Sequence, residues 1–400
     1  MSNPHFHRPH SRRAQGSTGA GRSTPLQPIR RQDWAGLSPQ DILTRYRIGH
    51  TPPAQVLEVL LELFNTLHTS LEKTVSHKTR QERAQFLRRF FHDLKRKAGF
   101  KTLPDPRNLG QKHVQAMVEV WQRERLAPGT IQTYLSFLRG LAMWMGKQGF
   151  VRQPQHYGLE LAEYQRSGLA ERDKSWSAQG IDVAALIETV GTYDRYVGAS
   201  LRLSLALGLR RKESVMFRPH RNLVAFEATG LPPEEREADR YARIKEGGKG
   251  GRLRFVALDS PARLAAVKHA QDVAVGLDAH MGDPDRDLKR NLRRFAYVLE
   301  KFGVTMRQLG ATAHGLRHEM LNDVYEDKTG QPSPVRGGSP VPPELDKAAR
   351  LAVAKLAGHS RTKASGAYLG AIRKWPVPPT VAPRGAGPKQ GDDGVAPIDA

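Results

Sequence analysis

Apolar residues return every three or four positions through Val56, Leu60, Leu63, Leu67 and Leu71, the period of a helix with one buried face. Thr79-Arg-Gln-Glu82 has the spacing of a capping box and precedes the apolar stripe Phe86, Leu87, Phe90, Phe91 and Leu94. Val114, Met117, Val118 and Trp121 predict a third helix. Pro128-Gly-Thr130 opens a fourth, with Ile131, Leu135, Leu138, Ala142 and Met145 on one face. Four such helices over residues 54–151 predict a small bundle. Residues 152–172 are polar and irregular and read as a linker. Helical patterns then run from Val183 to Val190 and from Tyr196 to Leu207. Strand patterns follow at Leu223–Phe226, Tyr241–Ile244 and Leu253–Leu258, the last two flanking the glycine-rich turn Glu246–Arg252. Helices resume at Pro261–Val275, Leu288–Lys301, Leu316–Glu326 and Pro343–Leu356, with a loop over Gln331–Pro340. There is no internal repeat. The fold class is therefore mainly α with a small antiparallel β-sheet (α+β), in two domains spanning 54–151 and 173–375.

Composition changes this picture at the ends and in its charge. Residues 1–50 read as a basic flexible arm: up to Arg31 they hold six arginines and no acid. Residues 376–400 are rich in proline and glycine and read as a mobile tail. The 63 Lys and Arg against 40 Asp and Glu leave a formal net charge of +23, which points to a polyanion, with nucleic acid the first candidate. Arginine outnumbers lysine by about two to one, which suits bidentate phosphate contacts but equally reflects coding bias. The basic side of the second helix, with Arg88, Arg89, Lys95, Arg96 and Lys97, is read as one wall of a DNA clamp or as an ordinary solvated face. Cysteine is absent, which excludes disulfides, thiolate zinc sites, iron–sulfur clusters and cysteine nucleophiles. No apolar run approaches the ~18 residues of a membrane span. The N-terminal residues also lack a secretory apolar core. The expected location is cytoplasmic, at the bacterial nucleoid, with no membrane partner.

Four segments of the second domain carry the chemistry. They are Gly208-Leu-Arg-Arg-Lys-Glu213, Gly248-Lys-Gly-Gly-Arg-Leu-Arg254, His314-Gly-Leu-Arg-His318 and Ala357-Gly-His-Ser360, with Tyr368 nine positions after His359. This ordered set resembles the tyrosine recombinases, the lambda-integrase-like family that also includes the Xer recombinases. The resemblance covers about residues 54–375. The segment LAPGTIQTYLSFLRGLAMWMG looks like that family's N-terminal, SAM-like core-binding domain. The resemblance implies a site-specific DNA strand transferase that cuts and rejoins duplex DNA through a covalent 3′-phosphotyrosyl intermediate. In that role Tyr368 is the nucleophile. Arg210 and Arg317 neutralise the phosphate, as two forked guanidiniums can without a metal. Lys249 protonates the leaving 5′-oxygen, His314 assists proton transfer, and His359 hydrogen-bonds the phosphate. No cofactor or metal is implied. The implied partners are double-stranded DNA attachment sites, held by a homotetramer on two synapsed duplexes. The scheme leaves room for an accessory directionality factor or a host DNA-bending protein. The expected biological role is integration or excision of a mobile element.

Each assignment has a rival. Position three of G-L-R-x-x-E selects Arg210 over Arg211, and the apolar strand after K-G-G-R favours Lys249 over Lys245. Glu213 reads as a structural partner of the turn. His314 and His318 stand four apart, a zinc spacing, but no adjacent glutamate or cysteine completes a site. His318 reads as packing, as do Trp176 and Trp375. Two features depart from the family: Ala357 replaces the usual leucine, and a long segment, Asp327–Pro343, separates HGLRH from AGHS. Asp323, Glu326 and Asp327 have no supporting set for a metal nuclease. GGKGG lacks the Ser or Thr of a Walker loop. The alternatives are a type IB topoisomerase-like strand-passage enzyme and a non-catalytic DNA-binding protein.

Overall fold

The computed structural model describes residues 31–68, 74–248 and 251–372. Contacts divide the chain into two units, with the break between Arg166 and Ser167. The first contains α1 (Pro39–Thr44), α2 (Pro53–Phe64), α3 (His77–Arg96), α4 (Gln111–Arg123), α5 (Pro128–Trp144) and α6 (Leu161–Tyr164). Phe86, Leu87, Phe90, Val114, Trp121, Leu135 and Leu138 meet in its core, so the predicted stripes face one another.

Several boundaries differ from the sequence reading. The first helix stops at Phe64, and Leu67 pairs with Thr74 in a single β-bridge; Leu71 lies outside the described residues. The second helix begins at His77, because Ser76 is its cap: the Ser76 hydroxyl accepts from the Thr79 backbone N–H at 3.2 Å. Ends predicted to be irregular are partly folded. Within the arm, Ser38 and Asp41 cap α1 reciprocally, and Ile42 and Tyr46 are buried in the core. Within the linker, Tyr157 and Leu159 are buried too, and the Tyr157 hydroxyl donates to Gln111 Oε1 at 2.9 Å. Composition misses these because a few buried side chains are enough to order a polar segment. Residues 1–30, Trp375 and the 376–400 tail lie outside the described residues.

The basic face of α3 is partly spent on internal pairs. Arg88 donates to both oxygens of Glu58 at 2.7 Å, and Lys97 reaches Glu124 at 2.7 Å. Arg89 hydrogen-bonds the Tyr134 hydroxyl. Lys95 and Arg96 are exposed and, among the described residues, make no ion pair.

The second unit contains α7 (Val183–Tyr193), α8 (Arg195–Leu207), α9 (Arg211–Met216), β1 (Leu223–Ala225), β2 (Arg240–Ile244), β3 (Arg254–Ala257), α10 (Pro261–Val273), α11 (Leu288–Lys301), α12 (Gly315–Thr329), α13 (Pro343–Leu356) and α14 (Gly366–Leu369). The strands form one antiparallel sheet in the order β1-β2-β3, with Leu223 opposite Ala242 and Tyr241 opposite Ala257. α8 is the hub. Its Leu203 and Leu207 pack with Ile244, Val256 and Val267, while its Val197 and Leu201 pack with Trp176, Phe295 and Leu316. A third cluster joins α12, α13 and α14 through Leu321, Tyr325, Val353, Ala357, Tyr368 and Leu369. No helix among the described residues is long and apolar enough to cross a membrane.

Candidate active site

The G-L-R-x-x-E segment is a helix-to-helix turn whose spacing has a local cause. Gly208 ends α8 in the left-handed region, and buried Leu209 anchors the turn. Arg210 is the N-cap of α9, and Glu213 sits at its third position, where one carboxylate oxygen accepts from the Arg210 backbone N–H at 2.9 Å. The other oxygen accepts from the Arg210 guanidinium at 2.6 Å. Glu213 is thus both cap and counter-ion, as the sequence suggested for a structural partner.

Glu213 has a second cation, one that the sequence places in the hairpin segment without giving it a role. Arg254 on β3 donates to both of its oxygens, at 3.1 and 2.6 Å, and is itself buried. Arg317 NH1 lies 3.9 Å from the same carboxylate. Burial alone would raise the Glu213 pKa, but Arg254 and Arg210 outweigh it and hold it down at about 2. One signal in the sequence points to the role of Arg254. Strand alternation puts it on the same face as Val256, so an arginine occupies an inward position.

Arg317 lies in the first turn of α12 and is fully buried. Its Nε donates to the Tyr368 hydroxyl at 3.1 Å, NH2 donates to the Ala357 carbonyl at 2.5 Å, and NH1 donates to the Gly208 carbonyl. Burial lowers its pKa to about 10, so it remains a cation at neutral pH. Arg210 NH2 donates to the same Ala357 carbonyl at 3.2 Å. The A-G-H segment explains how one carbonyl serves both arginines. Gly358 turns left-handed after α13 (φ +66°), the His359 N–H closes back on Ala354 at 2.8 Å, and the Ala357 carbonyl is left pointing at the guanidiniums. The backbone makes this contact, so exchanging leucine for alanine at 357 leaves it in place.

Three imidazoles surround the tyrosine ring. The ring centroids of His318, His314 and His359 stand 4.9, 6.0 and 6.4 Å from that of Tyr368. Burial and then the charges of Arg317 and Arg210 lower His314 to about 4. Burial and then the neighbouring His314 lower His318 to about 3. Burial, Arg210 and Arg317 also lower His359. All three are neutral at physiological pH, so they can accept a proton or a hydrogen bond beside the cations. Among the described residues no group of three or more His, Asp or Glu could hold a metal ion.

Of the residues singled out in the sequence, Arg210, His314, Arg317, His359 and Tyr368 therefore gather in one place, from four separate segments. Lys249 lies outside the described residues; the strands on either side of its turn are β2 and β3.

The phage integrase N-terminal family matches residues 65–151, and the integrase family matches residues 173–323. The second span includes Arg210, His314 and Arg317 and ends before His359 and Tyr368. No curated protein matches the chain in sequence. Among solved structures, a lambda integrase tetramer bound to a Holliday junction is similar in fold. It is 13% identical over 80% of this chain and 78% of that one, with a TM-score of 0.50. XerA recombinase is 13% identical over 80% of this chain and 94% of that one, with a TM-score of 0.31. The two family spans together take in more than half of the chain, and the second holds Arg210, His314 and Arg317 of the site just described; the chain belongs to the integrase family of tyrosine recombinases, enzymes of site-specific recombination.

Proposed function

We propose that Arg210, Arg317, His314, His359, Lys249 and Tyr368 are the residues by which this recombinase exchanges DNA strands. The observation that carries the reading is the contact from Arg317 Nε to the Tyr368 hydroxyl at 3.1 Å, made by a guanidinium that shares the Ala357 carbonyl with Arg210. A nucleophile and two phosphate-binding cations are thereby held within one hydrogen-bonded cluster. The Tyr368 oxygen attacks the phosphorus, and the bond from phosphorus to the 5′-oxygen breaks. The phenolic proton leaves with help from neutral His314, and Lys249 gives a proton to the 5′-oxygen. Arg210 and Arg317 neutralise the charge that builds on the non-bridging oxygens, and His359 adds a hydrogen bond. The 3′-phosphotyrosyl ester retains the energy of the broken bond, so a 5′-hydroxyl can reverse the step without ATP.

The partner in this reading is duplex DNA carrying attachment sites. The lambda integrase tetramer on a Holliday junction supports the same assembly here, four copies on two duplexes. The arm (1–50), core-binding domain (54–151), linker (152–172), catalytic domain (173–375) and tail (376–400) are its proposed parts, with the folded ends described above. Its role is integration or excision of a mobile element.

The test is capture from a pool of randomised duplexes. The wild-type chain is expected to retain some of them as adducts that survive denaturant and disappear on proteolysis. Tyr368→Phe is expected to bind DNA equally and retain none. An adduct formed by the Phe variant would remove Tyr368 from the role.

A further inference from the structure

α14, the helix that carries Tyr368, has only four residues, too few to be stable alone, so the place of the hydroxyl is decided by what holds the helix ends. At the N-terminal end the Gly366 carbonyl accepts from the Ala170 N–H at 2.8 Å. The C-terminal end is held by a side chain that the proposed reaction does not use. Arg350 on α13 is buried, and its NH1 and NH2 donate to the carbonyls of Gly370 and Ala371 at 3.2 and 3.4 Å. Its charge is balanced one helical turn away: Nε donates to Asp346 at 2.8 and 3.0 Å. The Tyr325 hydroxyl of α12 donates to the same carboxylate at 2.7 Å. Gly370 turns the chain with φ +80° and ψ −168°, a conformation open essentially to glycine alone. A Cβ there would also stand 3.2 Å from Ala170 O and from Val335 Cβ.

Only Nε of Arg350 is spent on Asp346; the NH1 and NH2 groups of the buried guanidinium need acceptors and find them in the carbonyls just after α14, so the arginine and that segment fix each other. We propose that Arg350 is a positioning residue for the Tyr368 hydroxyl, acting through the Gly370 and Ala371 carbonyls to hold the nucleophile against Arg317. The inference rests on Tyr368 being the nucleophile. Arg350 is buried and bonds Asp346, Gly370 and Ala371 rather than the Tyr368 hydroxyl, so its effect is confined to reactions that use the tyrosine.

Two reactions separate this role from general support of the fold. One is single-turnover cleavage of a duplex recovered by wild-type capture, which needs Tyr368. The other is joining of a strand ending in a 3′-(p-nitrophenyl phosphate) ester to a 5′-hydroxyl. There the bond from phosphorus to the aryl oxygen breaks and p-nitrophenolate leaves, so the arginines are needed and the tyrosine is not. Arg350→Lys keeps a cation beside Asp346 but cannot span three acceptors. It is expected to slow cleavage at least tenfold, since a displacement on the order of 1 Å can cost about a hundredfold. DNA binding and ester joining are expected to stay within about twofold of wild type. Gly370→Ala disturbs the same turn without touching the ion pair, and the same split is expected of it. It is read alone if Arg350→Lys does not fold. Cleavage at the wild-type rate, or equal loss of cleavage and joining, overturns the inference. Tyr368→Phe run alongside keeps the two claims apart. If that variant cleaves through an adduct, or the wild type never does, the nucleophile assignment itself fails and the inference falls with it.

Discussion

Arg88 in the first unit and Arg254 in the second each hold one glutamate with two hydrogen bonds, Glu58 at 2.7 Å and Glu213 at 2.6 and 3.1 Å. The pairs look alike on paper and differ in their surroundings. About half of the Arg88 and Glu58 side chains faces solvent, whereas Glu213 has no exposed side-chain surface and Arg254 has 5%. An exposed pair exchanges partners freely, so its arginine can leave the glutamate for a phosphate at little cost. A buried carboxylate shared by several cations does the reverse. It holds Arg210 and Arg254 in place, and neither is released unless the site comes apart. In the proposed function the first kind of arginine contributes affinity that salt can screen, and the second contributes an ordered transition-state site.

The largest expected effect contrasts the two glutamates. Glu213→Gln leaves three guanidiniums facing a neutral side chain, and breaking a buried pair in this way costs about 3–5 kcal/mol. Glu58→Gln should cost under about 1 kcal/mol. Urea unfolding of both variants measures the difference, and equal losses would erase the distinction drawn between the units.

Acid sharpens the same contrast. His314 and His318 are held at about 4 and about 3, below the ordinary 6.5, by burial first. The unfolded chain therefore takes up protons before the folded one does. Their neutral burial is tolerated fully above pH 6.5, and stability falls as pH drops from 6.5 toward 4 and then 3. His113 in α4 is lowered by burial too and gives the first unit its own version of this loss. Melting followed from pH 7 to pH 4 should show the decline, and His318→Gln should flatten part of it. An unchanged slope in that variant would mean that the imidazole is not buried neutral.

The smallest effect lies on the exposed face of α3. If Lys95 and Arg96 meet DNA phosphates, each contributes about 0.9 to the slope of log K against log salt. The double alanine variant should lower that slope by nearly two, with cleavage at saturating DNA unchanged. Removing residues 1–30, which leaves Ile42 and Tyr46 in the core, asks the same of the arm's arginines; a drop of a few units is expected. Slopes that coincide with wild type would take these cations out of the DNA interface.

What was legible in the chain was what neighbours in sequence decide. G-L-R-x-x-E could be read because its glycine, its cap and its ion pair all fall within six residues of Gly208. The stripes of α3, α4 and α5 could be read because helical period and burial coincide. Ser76 and Thr79 both have the chemistry of a cap, and only the path of the backbone chooses Ser76. The arm and linker seemed looser than they are, because Ile42, Tyr157 and Leu159 are too few to alter a composition.

Sequence alone determined the types and order of the groups proposed to react: two arginines, the histidines, a lysine on a glycine-rich turn and a tyrosine after A-G-H. The chemistry of phosphoryl transfer demands those types, and local motifs display them. Only the tertiary structure decided how they are held. Arg254 reaches Glu213 across 41 residues, Arg317 reaches Tyr368 across 51, and Arg350 reaches Gly370 across 20. None of these contacts has a period or a spacing that a sequence could show. Each follows from α8, α12 and α13 burying their apolar faces together, which brings distant polar groups into one dry space where every charge needs a partner.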